Sequence, residues 1–225
     1  MSTMTIREAI DARHSVRAYT AAPIPAEIRA ELDTYAAACS RESGLSLFVR
    51  YDDPSGFDSR LAQYGSFRNV NNYFVLAGKK GEHFDSRCGY YGEKLVLFAQ
   101  QLGLNTCWTA LTFNKKRVRE LVAEGETLCM AIALGYGETQ GRPHRSRAFS
   151  DVVSLRGEAP DWFRLGVESA LKAPTAVNQQ KFLFSLENGE AAVRVKGIGS
   201  CVLVDLGIAA LHFELGSGHG VRIID

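Results

Sequence analysis

The sequence predicts an α+β fold, with helices flanking sheet and two related halves in one chain, on the strength of three observations. Helical and extended patterns alternate along the chain, and strands enter only after a pair of helices. A continuous apolar run, "TLCMAIALGYG" from Thr127 to Gly137, has the composition of a strand buried on both sides. Two helical segments, "GEKLVLFAQQLG" from Gly92 and "GIAALHFELGSG" from Gly207, match at a single offset. An offset of 115 residues relates Gly92 to Gly207, Phe98 to Phe213 and Gly103 to Gly218.

Each element follows from local chemistry. Ile6 to Arg13 reads as a helix that ends at the polar stretch "RHSVRAY". A second helix follows in "PIPAEIRAELDTYAAAC", with Pro25 at its start and Ile28, Leu32 and Tyr35 at helical spacing. "LSLFVRY" (Leu45 to Tyr51) alternates and is rich in β-formers, and "NYFVLAG" (Asn72 to Gly78) reads as another strand. From Tyr90 to Leu102, Tyr91, Leu95, Phe98, Ala99 and Leu102 fall on one helix face, and Gly103 ends it. The Thr127–Gly137 strand breaks at Gly135, and a glycine-rich loop leads on to "RPHRSRAF". The segments from Glu27 and from Trp162 share a helix, a polar loop and a Phe-bearing strand, which sets Phe48 opposite Phe184. No low-complexity linker intervenes, so 1–225 reads as a single domain with internal halves of about 1–150 and 151–225.

Composition narrows the function. A chain of 225 residues, 46% hydrophobic, can bury a full core. Its formal net charge of +1 gives no general field for nucleic acid or an anionic membrane, so any cationic function is local. "MSTMTIREAI" has no apolar leader core, and runs such as Leu95 to Ala99 are too short to span a bilayer; a soluble, cytoplasmic protein is expected. Five scattered cysteines (Cys39, Cys88, Cys107, Cys129, Cys201) form no C-x-x-C pair, which fits free thiols in a reducing compartment.

Few residues carry obvious chemistry. Arg13, His14, Ser15 and Arg17 either bind an anion, since guanidinium forks and a hydroxyl match phosphate oxygens, or form a solvated charged turn. No G-x-S-x-G elbow, H-E-x-x-H pair or P-loop is present, and "GYGETQG" does not open a dinucleotide-type helix. His212 and His219 lie seven apart without a third ligand, so no metal is expected and His212 reads as a structural histidine. Cys107 reads as a small buried hydrophobe, and no side chain is assigned as catalytic.

Four motifs together resemble the FMN-dependent nitroreductase family: "ARHSVRAY", "LGLNTCW", "LGYG…RPHRSR" and "APTAVNQQ". The likeness is to a divergent, rearranged member of the TM type. It implies central, mostly antiparallel sheets flanked by helices, and FMN as cofactor. It further implies that Arg13, Ser15 and Arg17, with Arg145 and Arg147, grip the flavin phosphate, and that His14 sits by the ring or its carbonyls. Pro174, Thr175 and Asn178 then lie along the ring and ribityl chain, Asn178 offering a donor and an acceptor to the pyrimidine edge. Trp108, Thr109, Ala110 and Leu111 map by position onto the segment passing flavin N5, although Trp108 could equally belong to the core. The implied activity is ping-pong, NAD(P)H-linked reduction of flat electron-poor acceptors such as nitroaromatics or quinones. A flavin-binding protein without turnover, its ring occluded, is the alternative.

Motif order departs from the family. Its members carry the loop matching "APTAVNQQ" soon after the arginine turn, whereas here "CSRESGLSLF" stands there and the loop lies in the second half. Family sites usually form between two subunits. This chain therefore reads as a fused pseudo-dimer with a shortened second half, binding one flavin as a monomer or optional homodimer.

Overall fold

The structure, a computed structural model, describes residues 4–155 and 157–224. The outermost positions of the 1–225 domain lie outside these. A capping box between Thr5 and Glu8 starts α1 (Ile6–Ala12), and α2 (Ala26–Ser43) begins after Pro25 and closes on the left-handed Gly44. Then come β1 (Ser46–Arg50), α3 (Arg60–Tyr64), β2 (Asn72–Gly78), α4 (Phe84–Gln101), β3 (Asn105–Thr109), α5 (Lys115–Arg119) and β4 (Thr127–Gly135). The remaining elements are β5 (Val153–Ser154), α6 (Asp161–Ala170), β6 (Phe182–Glu187), β7 (Glu190–Val195), α7 (Val202–Ser217) and β8 (Val221–Ile224).

Two four-stranded sheets result. The first has order β1-β2-β4-β3 with every pairing antiparallel. Its central strands are buried on both faces: Phe74, Leu76, Ile132 and Leu134 face the helical core, while Tyr73, Val75, Ala131 and Ala133 face a second core beneath the 57–70 and 113–122 segments. The second sheet runs β5-β6-β7-β8; β6 and β7 form an antiparallel hairpin, and the two outer pairings are parallel. Parallel pairing of β7 with β8 requires the long crossover that α7 supplies.

Helices α4 and α7 lie against each other between the sheets and share the main core. They approach to backbone contact, because a Cβ on Gly89 would overlap the Val204 carbonyl and one on Gly207 the Ser86 carbonyl. That contact also explains why α4 starts six residues before the predicted Tyr90: its polar first turns, though lacking a clear apolar period, are buried against α7.

The pairing of Phe48 with Phe184 needs correction. Phe184 faces the main core, whereas Phe48 packs on the opposite face of its sheet, in the second core. Strand side chains alternate, so the aligned phenylalanines are one register step out of phase.

Replacing Gly89 or Gly207 by alanine tests the close approach. In an exposed helix the change would stabilise by about 1 kcal/mol. Here backbone overlap wins, and urea denaturation should show a loss of about 2 kcal/mol or more for each variant.

Candidate functional site

The "RHSVRAY" turn leaves α1 and lies alongside β3, with Ser15 bridging to Thr106 and the Val16 N–H donating to the Thr106 carbonyl at 3.0 Å. Val16 is buried and pins the turn, so Arg13 and Arg17 line the first of three neighbouring cavities, and Arg17 also the second. The first, a cleft of ≈ 460 Å³, is lined by Arg13, His14, Ser15, Arg17, Arg142, His144 and the 174–178 loop. A narrow slot of ≈ 110 Å³ continues from it, sharing Ser15, Arg17, Pro174, Thr175 and Val177, and adding Trp108, Thr109, Ala110 and Asp205. Beyond the slot, an outer cavity of ≈ 390 Å³ shares Ala110, Met130, Cys201 and Val204, and carries Leu111 and Lys115 at its wall. One groove thus runs from a cationic end, through a slot, to an apolar mouth.

The cationic end contains three guanidinium groups and no acidic lining residue. Among the described residues, the Arg17 and Arg142 side chains make no hydrogen bond or ion pair. Arg13 is 4% exposed, and its Nε has no hydrogen-bond partner. Burial lowers its pKa, and Glu93 opposes that shift. The imidazole of His14 is likewise pushed down by burial and by the adjacent Arg13.

The 174–180 loop forms the other wall. Val177, Asn178 and Gln180 have φ of 46°, 55° and 45°, the left-handed region that a β-branched residue such as Val177 rarely adopts. Several bonds hold this conformation. The Ala176 N–H donates to both Asp205 oxygens at 3.0 and 3.1 Å, and Gln179 Nε2 donates to Asp205 at 2.7 Å. Gln180, 2% exposed, donates through Nε2 to the Arg145 carbonyl and to Asn178 Oδ1, while its Oε1 accepts from the Arg147 N–H.

Most of the sequence-predicted residues converge on this groove. Arg13, Ser15, Arg17, Pro174, Thr175 and Asn178 line its cationic end, Trp108, Thr109 and Ala110 its slot, and Leu111 its mouth. Three expectations change. Arg145 and Arg147 line none of these cavities: Arg142 and His144 line the cleft, Arg145 is exposed, and Arg147 donates through Nη2 to the Gln179 carbonyl at 3.1 Å. His14 lies at the cationic end rather than in the slot. The Asn178 amide is engaged within the protein, donating to the Arg145 carbonyl at 2.9 Å and accepting from Gln180 at 2.8 Å, and so serves as a latch between loops. Sequence reasoning missed Arg142, Gln180 and Asp205. Arg142 and Gln180 carried a signal, being part of the quoted "RPHRSR" and "APTAVNQQ"; Asp205 carried none.

Similarity to known proteins gives the family and the fold. A family model described as "Putative TM nitroreductase" matches residues 5–217, and the chain belongs to that family. Membership carries a general oxidoreductase role. Among solved structures, one from Thermotoga maritima described as "a putative nitroreductase" superposes with a TM-score of 0.68 at 22% identity, over 96% of this chain and 85% of that one. A nitroreductase family protein from Streptococcus pneumoniae gives 0.54 at 12% identity, over 68% of this chain and 100% of that one. The NADPH:FMN oxidoreductase of Vibrio harveyi, solved with NAD+, gives 0.53 at 18% identity, over 69% and 79%. At these identities the likeness is one of fold. No curated protein sequence matches.

Asp205 yields a pH prediction. It is 5% exposed, and burial raises its pKa from 3.8 to about 6 against the lowering effect of its N–H donors. The folded state therefore holds this proton more tightly than the unfolded chain, and the contribution to stability is lost as pH rises through about 6. Measured against Asp205→Asn, wild-type stability should improve by up to about 3 kcal/mol as pH falls from about 7 to about 4. Urea titrations across that range would show a flat difference if Asp205 kept an ordinary carboxylate pKa.

Proposed function

We propose that the groove binds one FMN per chain and supports NAD(P)H-linked, ping-pong reduction of flat electron-poor acceptors such as nitroaromatics and quinones. The observation that carries this reading is the set of cations at one end of a slot. Arg17 and Arg142, neither of them paired among the described residues, and the guanidinium of Arg13 in the same lining offer charge and N–H donors that a dianionic phosphate would satisfy.

Bound FMN would supply two-electron transfer between a nicotinamide and the acceptor. The chain's part is binding and orientation. Arg13, Arg17 and Arg142 would hold the phosphate, with the Ser15 hydroxyl beside it. Trp108, Thr109 and Ala110 on one side and Pro174 and Thr175 on the other would flank the ring, and Asp205 would hold their wall in place. The outer cavity leaves room for the second reactant, which favours turnover over an occluded ring. Since Arg13 and Thr175 come from the two proposed halves of one chain, the site would need no second subunit. The five free cysteines, together with the lack of any described helix long and apolar enough to cross a membrane, fit a cytoplasmic setting.

Purified protein should show the visible spectrum of a flavin or acquire it on titration with FMN, and anaerobic NADH or NADPH should bleach it. Protein that stays colourless throughout would refute the reading. Arg17→Ala and Arg142→Ala should each weaken FMN binding by about 1.5–3 kcal/mol, as expected for lost hydrogen bonds to a charged group. Mixing Arg13→Ala chains with Thr175→Tyr chains addresses assembly: a within-chain site stays broken, whereas a site between subunits would recover flavin binding in mixed dimers.

A further inference from the structure

Glu93 sits on α4 with no exposed surface. An isolated buried carboxylate is costly, so its partners reveal what it is for. Oε2 accepts from Trp108 Nε1 at 2.7 Å, Oε1 lies 2.9 Å from Nε2 of the fully buried His212 on α7, and Arg13 Nε stands 3.7 Å from Oε1. Two contacts are good hydrogen bonds. The third is within ion-pair range but too long for a hydrogen bond.

Arg13 is thus held mainly by charge. Its one hydrogen bond is a 3.5 Å contact from Nη2 to the Lys172 carbonyl, and its Nε donor is unused. A guanidinium so deeply buried needs a counter-anion, and Glu93 is the one within reach. Its directional capacity nevertheless remains free for another anion in the cleft that Arg13 lines. Through Trp108 the same carboxylate also sets a wall of the slot.

Building on the FMN reading, we propose that Glu93 is a positioning residue that acts as an internal stand-in for phosphate: it holds Arg13 at the cleft before the ligand arrives and competes for its charge afterwards. Two consequences differ from those of a merely structural role. Removing the charge while keeping the shape, as in Glu93→Gln, should leave Arg13 uncompensated and lower the stability of the flavin-free protein. The same change should strengthen attraction for a phosphate, because the arginine's charge is no longer shared.

The test compares riboflavin, which lacks the phosphate, with FMN. Fluorescence titrations of wild type and Glu93→Gln should show the preference for FMN over riboflavin rising by about fivefold or more in the variant. An unchanged or reduced preference would overturn the proposal. Inorganic phosphate is the second probe: it should raise the melting temperature of Glu93→Gln by more than that of wild type, and an equal or smaller rise counts against the role. If the variant does not fold in phosphate-free buffer, recovery on refolding with phosphate supports the proposal and failure to recover refutes it. Absence of any flavin binding by wild type would remove the FMN reading, while the phosphate measurement would still decide whether Glu93 competes for Arg13.

Discussion

The close approach of α4 and α7 is the constraint on which the rest of the structure depends. Glycines at positions 89 and 207 let the two helix backbones touch, and this draws the two sheets onto one core. The groove exists because of that contact. Its cationic turn is tied to β3 of the first sheet, whereas its facing loop is tied through Asp205 to the first turns of α7. Separating the helices by the width of a methyl group would move one wall relative to the other. Packing at the centre therefore sets the geometry of a site at the edge.

Charge placement follows the same division. Each wall depends on one buried carboxylate, and the two have opposite surroundings. Glu93 meets an indole N–H, an imidazole and a guanidinium. Asp205 receives only neutral N–H donors, and burial drives its pKa up despite them. The difference suits their positions: Glu93 offsets a buried arginine, while Asp205 fastens a loop containing three left-handed non-glycine residues. Such strain persists only where surrounding bonds over-determine the backbone, and Asp205, Gln180 and Arg147 provide them.

Much of this was legible in the sequence, for identifiable reasons. Helices α1 and α2 and strands β1, β2 and β4 follow from periodicity, capping and the doubly apolar run; their boundaries agree within a residue or two except at the end of α2, which runs four residues beyond the quoted Cys39 to Ser43. Strand β3 was hidden because "NTCWT" is short and sits at a sheet edge, and β8 because its four residues follow a glycine-rich turn. Arg142 and the two buried carboxylates depend on which way a side chain turns and on what crosses from another element. Glu93 looks like any charged residue in "GEKLVLF"; only the arrival of α7 and of the "RHSVRAY" turn encloses it. A local pattern records burial on its own element and is silent about partners from distant parts of the chain.

The departure in motif order becomes intelligible in these terms. Where the second half carries the 174–180 loop between α6 and β6, the first half passes from α2 to β1 through a tight turn at Gly44, with φ of 69°. That turn has no room for a latch or a slot wall. Among its described residues, the second half contains no counterpart of the arginine turn that α1 delivers to β3. Each proposed half thus keeps one wall and lacks the other. Two such halves would together build a single groove, and the chain passes from β4 of the first sheet to β5 at the edge of the second, where β5 pairs with β6. In the proposed single-chain site, covalent linkage would keep the walls at a fixed effective concentration, so the groove's integrity would not depend on how much protein is present.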